Sequence, residues 1–250
     1  MSLGVDVVLE PGLATVVPCR RTSLGRGRGD ERFHARDRPE VLAAALRGAR
    51  CLRTLRRVDL RLVLETPEVL PRTRSDPTVP AVTTTSHGLM IVSTSSGPAG
   101  GVLDVGLPTE LVDEVAEGLR HRRCWGPVRM ELGVLARTAA VLRAAGHALR
   151  HRPGVVIDVT RAAVTVLELD GADLVAGRAV PASDVRAALD AVLPTVRGRL
   201  AGDGDHPGAG RPWLHLAVPP ALEAGVRTVC ASALPAGGAI DVLRLAARPR

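Results

Sequence analysis

Lysine is missing from this chain altogether: all 33 basic residues are arginine. That absence removes three chemistries at once, because the Walker-A phosphate loop, the pyridoxal Schiff base and the protein-kinase ion pair each need a lysine amine. Tyrosine is also absent, and Phe33, Trp125 and Trp213 are the only aromatic residues. Modules that stack bases need aromatic platforms. The net charge of +7 therefore says little about nucleic acid, although a basic surface does attract polyanions. Arg, Ala, Gly, Val and Leu dominate, as expected from a GC-rich coding bias. The four cysteines, Cys19, Cys51, Cys124 and Cys230, have no CxxC spacing and imply neither a zinc site nor a disulfide framework. Lying in or beside apolar runs, they read as reduced, buried thiols. No run approaches 18 uncharged apolar residues, and the start of the chain lacks a basic segment followed by an apolar one. The expectation is a soluble, cytoplasmic protein without a membrane span.

What is present is enough for a core: 250 residues, 46% of them apolar, suffice for one bilobal domain or two small ones. The organising stretch is Gly154 to Pro181. It reads as three strands, with a wholly apolar first run from Val155 that ends at Asp158 and Thr160, and turns at residues 160–162 and at Asp170-Gly171. Earlier, Leu3–Leu9 and Leu13–Val17 flank a Glu10-Pro11-Gly12 turn. Arg20–Arg38 follows, with seven arginines, three acids and a Gly-Arg-Gly-Arg-Gly core; it reads as a solvated connection or as a phosphate or RNA contact arm. A short strand over Arg32–Arg36 ends it.

Pro39-Glu40 opens a helix to Gly48, and Val58–Leu64 alternates as a strand. Residues 66–101 read as an irregular insert with a strand-like run at Leu89–Val92. Its segment from Ser93 to Gly101 (STSSGPAGG) reads as a simple connection or as a loop whose N–H groups cradle phosphate. Val102–Leu107 is a strand, then a helix has Thr109 as its expected N-cap. Val128–Leu132 is a strand and residues 134–149 a helix. After the central strands come a helix capped by Ser183, a loop at 202–211, a strand at Trp213–Val218, a helix from Pro219-Pro220 and a last strand, Ile240–Leu245.

Other constellations are weak. His147 and His151 stand at i, i+4 without a third ligand, and a solvated helix end explains them. Asp203-Gly204-Asp205-His206 lacks the register of a calcium loop. His215 alternates with leucines as a strand residue, and no Gly-x-Ser-x-Gly elbow occurs.

The elements read βββαβ, the insert, then βαβα, and after it βββαβαβ. With the insert set aside these are two copies of one unit, the second lacking its last helix, and both open on a strand bearing an acid, Asp6 and Asp158. The expectation is an α/β fold of mixed sheets with helices on their faces. The order resembles the actin-like ATPase superfamily (actin, Hsp70, sugar kinases), and within it the PilM and FtsA group. The resemblance is carried by residues 41–70 and by 102–181, where strand, helix, the VLARTAAVL helix and the VVIDVT hairpin follow in family order. It implies duplicated, ribonuclease H-like lobes: residues 1–150, with the insert at about 66–101, and a truncated second lobe at 151–250.

The same resemblance implies a site. In the family, an Asp-x-Gly-Thr/Ser/Gly turn in each lobe approaches the ATP phosphates, and its acid holds the Mg²⁺ shell. Here the turns read Asp6-Val7-Val8-Leu9 and Asp158-Val159-Thr160-Arg161, both without the glycine. The family's Gly-Gly adenosine loop is replaced by Val218-Pro219-Pro220, where proline removes an N–H and adds bulk. The reading is a pseudo-ATPase with no cofactor, acting as a scaffold for a partner protein, as PilM-type proteins grip a peptide from a membrane-anchored component. The alternative is a nucleotide-dependent kinase or ATPase with Asp6 and Asp158 as Mg²⁺-shell acids and Thr160 near the γ-phosphate of ATP. A further alternative is an arginine-rich nucleic-acid binder acting through residues 20–38.

Overall fold

The computed structural model of the chain describes residues 3–18, 30–53, 57–65, 70–74, 89–96, 102–120, 126–145, 149, 152–161, 163–171, 173–201, 212–219, 221–233 and 241–243. By contacts they divide into two compact units, Met1–Thr66 with Pro108–Gly133, and Pro67–Leu107 with Val134–Arg250. The expected boundary near 150 differs from this division in where residues 67–107 and 134–150 fall.

In the first unit, β1 (Leu3–Glu10), β2 (Leu13–Pro18), β3 (Glu31–His34), β4 (Val58–Leu64) and β8 (Val128–Leu132) form one sheet in the order β3-β2-β1-β4-β8. β1 pairs antiparallel with β2 and parallel with β4, which pairs parallel with β8. The hairpin turns on Gly12 at φ +69°, a left-handed conformation that glycine adopts without penalty. Alternation along β1 sorts the faces: Val5, Val7 and Leu9 are at most 1% exposed, whereas Asp6, Val8 and Glu10 are half-buried. The helix α1 (Arg38–Gly48) buries Val41, Leu42, Ala45 and Leu46 and packs on β1–β3. The Asp37 carboxylate caps α1 by accepting from Glu40 N at 2.9 Å. A one-turn α2 (Arg50–Arg53) follows it. α3 (Thr109–Leu119) packs on α1, where Gly118 sits against Leu42. Thr109, expected as its N-cap, is instead its first residue, after Pro108, which gives no side-chain cap.

In the second unit, β9 (Pro153–Val159), β10 (Ala163–Asp170), β11 (Asp173–Pro181), β12 (Trp213–Ala217) and β13 (Asp241–Leu243) form a sheet in the order β11-β10-β9-β12-β13. Again two antiparallel pairings lead and two parallel ones follow. The two sheets thus share one strand order, as the repeat in the sequence implied. Val155, Ile157 and Val159 meet Leu189, Val192 and Val196 of α5 (Val185–Ala201) and Val226 and Cys230 of α6 (Glu223–Ala233). Fully burying a side chain of this size is worth about 1.5–3 kcal/mol, so this apolar layer holds β9 in place. The cap of α5 is Asp184, not Ser183: its carboxylate accepts from Arg186 N at 2.8 Å. α6 begins at Glu223, after a turn in which Leu222 N donates to Pro219 O.

The insert expected to be irregular contains strands. β5 (Leu70–Arg74), β6 (Leu89–Ser96) and β7 (Val102–Pro108) form a separate sheet, β5-β7-β6, against β11. Ser93–Ser96 belong to β6, so the candidate phosphate loop is strand at those positions. Residues 20–29, Cys19, His121 to Trp125, His147, His151 and the loop at 202–211 lie outside the described residues. The Cys51 and Cys230 side chains are buried. Burial pushes the Cys230 thiol up to about 11 because a thiolate there would lose its hydration. Above pH 9 the unfolded chain ionises this thiol and the folded chain does not. The stability it contributes is therefore complete below that pH and is lost as pH rises through 11. Cys230 should resist iodoacetamide at pH 8.5 in the native protein and react within minutes in urea; equal labelling rates would contradict its burial.

Candidate functional site

The two acids singled out in the sequence stand in different surroundings. Asp6, in the middle of β1, is in register with Val17 on β2 and Arg61 on β4. Arg61 reaches across three strands: its Nη1 donates to Asp6 Oδ2 at 3.4 Å and its Nη2 to Glu131 Oε2 on β8 at 2.7 Å. The hydrogen bond that Arg61 donates to Glu131 raises the Arg61 pKa above its ordinary value, with the charges of Glu131 and Asp6 adding to it and burial opposing it. These side chains are 21–39% exposed, so each pair is worth at most about 1 kcal/mol.

Asp158 is 2% exposed, at the end of a strand whose residues Gly154 to Val159 are all buried. Its partner is Arg137, on α4 (Gly133–Ala145). Nε donates to Oδ1 and Nη2 to Oδ2, both at 2.6 Å. This is the two-pronged geometry in which a guanidinium matches a carboxylate. Both carboxylate oxygens are taken, and the arginine remains 34% exposed beside an acid that is 3% exposed.

Thr160 closes the β9–β10 turn on itself. Its N–H donates to Ala163 O at 2.9 Å, and its hydroxyl donates to the same carbonyl at 3.2 Å and accepts from Ala163 N at 3.0 Å. A phosphate loop must present free N–H groups and hydroxyls to its ligand. Here the Thr160 amide and hydroxyl are spent within the turn.

Counting back from each hairpin's closing pair separates the two acids further. Asp158 lies two residues before Thr160, which is hydrogen-bonded to Ala163. Asp6 lies four residues before Glu10, which pairs with Leu13. The position two before Glu10 is Val8, on the same face of β1 as Asp6 and half-buried. The first lobe therefore carries valine where the second carries its acid. Where the resemblance places an adenosine loop, Val218 and Pro219 are half-buried and the Pro219 carbonyl is engaged by Leu222 N at 2.9 Å; Pro220 lies outside the described residues.

Sequence reasoning missed Arg137, Arg61 and Glu65. Glu65, just past β4, is 6% exposed. Its carboxylate lies so close to Gly133, the first residue of α4, that a Cβ there would come within 2.1 Å of Oε1. One signal was readable: an acid closing an apolar strand needs a counter-charge, and Arg137 sits in the preceding, largely apolar helix. His215, expected as a strand residue, is 2% exposed on β12. Among the described residues no group of three or more His, Cys, Asp or Glu could hold a metal ion, and no helix is long and apolar enough to cross a membrane.

No protein-family model and no curated protein sequence matches this chain. Solved structures do match. A Bacteroides thetaiotaomicron protein with an actin-like ATPase fold and unknown function superposes with a TM-score of 0.57 at 8% identity, over 97% of this chain and 91% of that one. The PilM–PilN type IV pilus biogenesis complex gives 0.57 at 14% identity, over 97% and 88%. This chain has an actin-like ATPase fold. The cytoplasmic domain of EpsL, an inner-membrane component of the Vibrio cholerae type II secretion system, matches at 0.45 and 10% identity over 87% of this chain and 82% of that one. The actin-like lobes account for the shared strand order, with its antiparallel meander leading into parallel strands.

Proposed function

We propose that this actin-like protein is a pseudo-ATPase that binds no nucleotide and serves as a scaffold for a partner protein, in a pilus- or secretion-type assembly with a membrane-anchored component. The observation that carries the reading is the Thr160 turn, whose amide and hydroxyl are both committed to Ala163. Val8 and Pro219 support it, because one removes an acid and the other an N–H at positions where a nucleotide-binding relative needs them. The partner half of the proposal rests on the fold shared with the PilM of the PilM–PilN complex. A kinase or ATPase using Asp6, Asp158 and Thr160 would need Asp6 two residues nearer its turn and the Thr160 turn opened.

The test is thermal unfolding of the full chain with and without millimolar Mg-ATP. A nucleotide binder at 100 times its dissociation constant gains about 2.7 kcal/mol, a rise of several degrees; the scaffold should melt at the same temperature in both. A reproducible upward shift would end the pseudo-ATPase reading.

A further inference from the structure

We propose that Arg137 is a resident counter-cation: its guanidinium fills the place at Asp158 that a hydrated divalent cation would otherwise take, leaving a latent cation site beneath it. The inference rests on the pseudo-ATPase reading and gives it a physical cause in the second lobe. An ionised carboxylate on a side chain only 3% exposed must be neutralised by a proton, a metal ion or a basic side chain. Here the third solution is realised, with each oxygen of Asp158 held at 2.6 Å by a separate nitrogen of one guanidinium. Mg²⁺ and the triphosphate it would carry therefore do not fit the site as built. No lone-pair direction facing Arg137 is free, and an approaching cation meets a fixed positive charge.

The exposures point the same way. Arg137 is 34% exposed and Asp158 3%, so the arginine lies on the solvent side of the acid. An arginine never loses its charge at accessible pH. The neutralisation is therefore permanent and independent of metal concentration, unlike that of an acid served by an ion. Among the described residues no group of three or more His, Cys, Asp or Glu could hold a metal ion, so a cation admitted at Asp158 would be held in the weak range.

Manganese alone, titrated into the full chain and followed by the loss of the free-ion EPR signal, is the probe. Wild type should bind none through Asp158, so its titration should match that of Asp158→Asn. Arg137→Gln, which keeps side-chain bulk without the charge, and Arg137→Ala should each add one site with a dissociation constant on the order of 1 mM. Adding Asp158→Asn to either should abolish that site. The proposal is overturned if wild type shows a manganese site that Asp158→Asn removes. It is equally overturned if Arg137→Gln, folded by circular dichroism, binds no more manganese than wild type. Failure here leaves the Mg-ATP result on wild type untouched, so the two readings can fall separately.

Discussion

Arg137→Ala should cost about 3–5 kcal/mol of unfolding free energy, because removing one partner of a buried ion pair leaves its charge without compensation. The size follows from the asymmetry of the pair: the Asp158 side chain is 3% exposed and depends on the guanidinium, whereas Arg137 is partly in solvent already. Asp158→Asn should cost less, about 1–3 kcal/mol, since the freed guanidinium can turn outward and asparagine still accepts a hydrogen bond. Replacing both residues together by leucine should recover most of the loss, as apolar substitutes for buried pairs often do. Urea denaturation with an unchanged slope would read these differences directly. A loss under about 1 kcal/mol for Arg137→Ala would mean that the carboxylate is not held as the geometry says.

The Asp6 cluster supplies the contrast. Arg61 bridges Asp6 and Glu131, yet all three side chains keep at least 21% of their surface in solvent. Two acids that look interchangeable in the sequence thus differ in energetic role. Asp158 is a buried charge that must be served, and Asp6 is one rung of a half-exposed ladder across β1, β4 and β8. For an actin-like fold the consequence is specific. The second lobe retains an acid at the end of its first strand and neutralises it internally, while the first lobe has no acid at that register.

The duplicated strand order could be read from the sequence because apolar alternation and turn residues mark each hairpin: Pro11-Gly12 in one copy, Asp170-Gly171 in the other. Residues 66–101 could not. β5 carries Pro71, and β6 runs into Ser93-Thr94-Ser95-Ser96, a composition that reads as connection until pairing with β7 supplies its hydrogen bonds. The helix caps were misread by one residue, Thr109 for Pro108 and Ser183 for Asp184, because cap propensity favours several residue types at neighbouring positions. At the site, the acids were visible but their registers were not, since register is a property of paired strands. Arg137 was not singled out, because its partner lies 21 positions away. The loss of the phosphate-turn glycine was legible at once. That Thr160 also turns its amide and hydroxyl inward depends on the observed turn geometry.

Gly154→Ala should destabilise the second lobe by about 1–3 kcal/mol, toward the upper end expected for overpacking. Gly154 on β9 is in register with Trp213 on β12, and a Cβ at Gly154 would come within 2.0 Å of Cε2 and 2.3 Å of Cζ2 of that ring. The ring has no room to yield. Trp213 is 0% exposed, and its indole N–H donates to Arg152 O at 3.2 Å, so turning it away would break a buried hydrogen bond as well as the packing. Gly198 is the control, for it lies within α5, exposed, with nothing within 4 Å of a built Cβ. Gly198→Ala should therefore raise stability by about 0.5–1 kcal/mol through helix propensity and a less flexible unfolded chain. Opposite signs at two glycines of one lobe, measured by the same denaturation, follow only if β9 and β12 are paired in this register. Slipping the pair by one residue would remove Gly154 from beneath the indole and leave Gly154→Ala nearly silent.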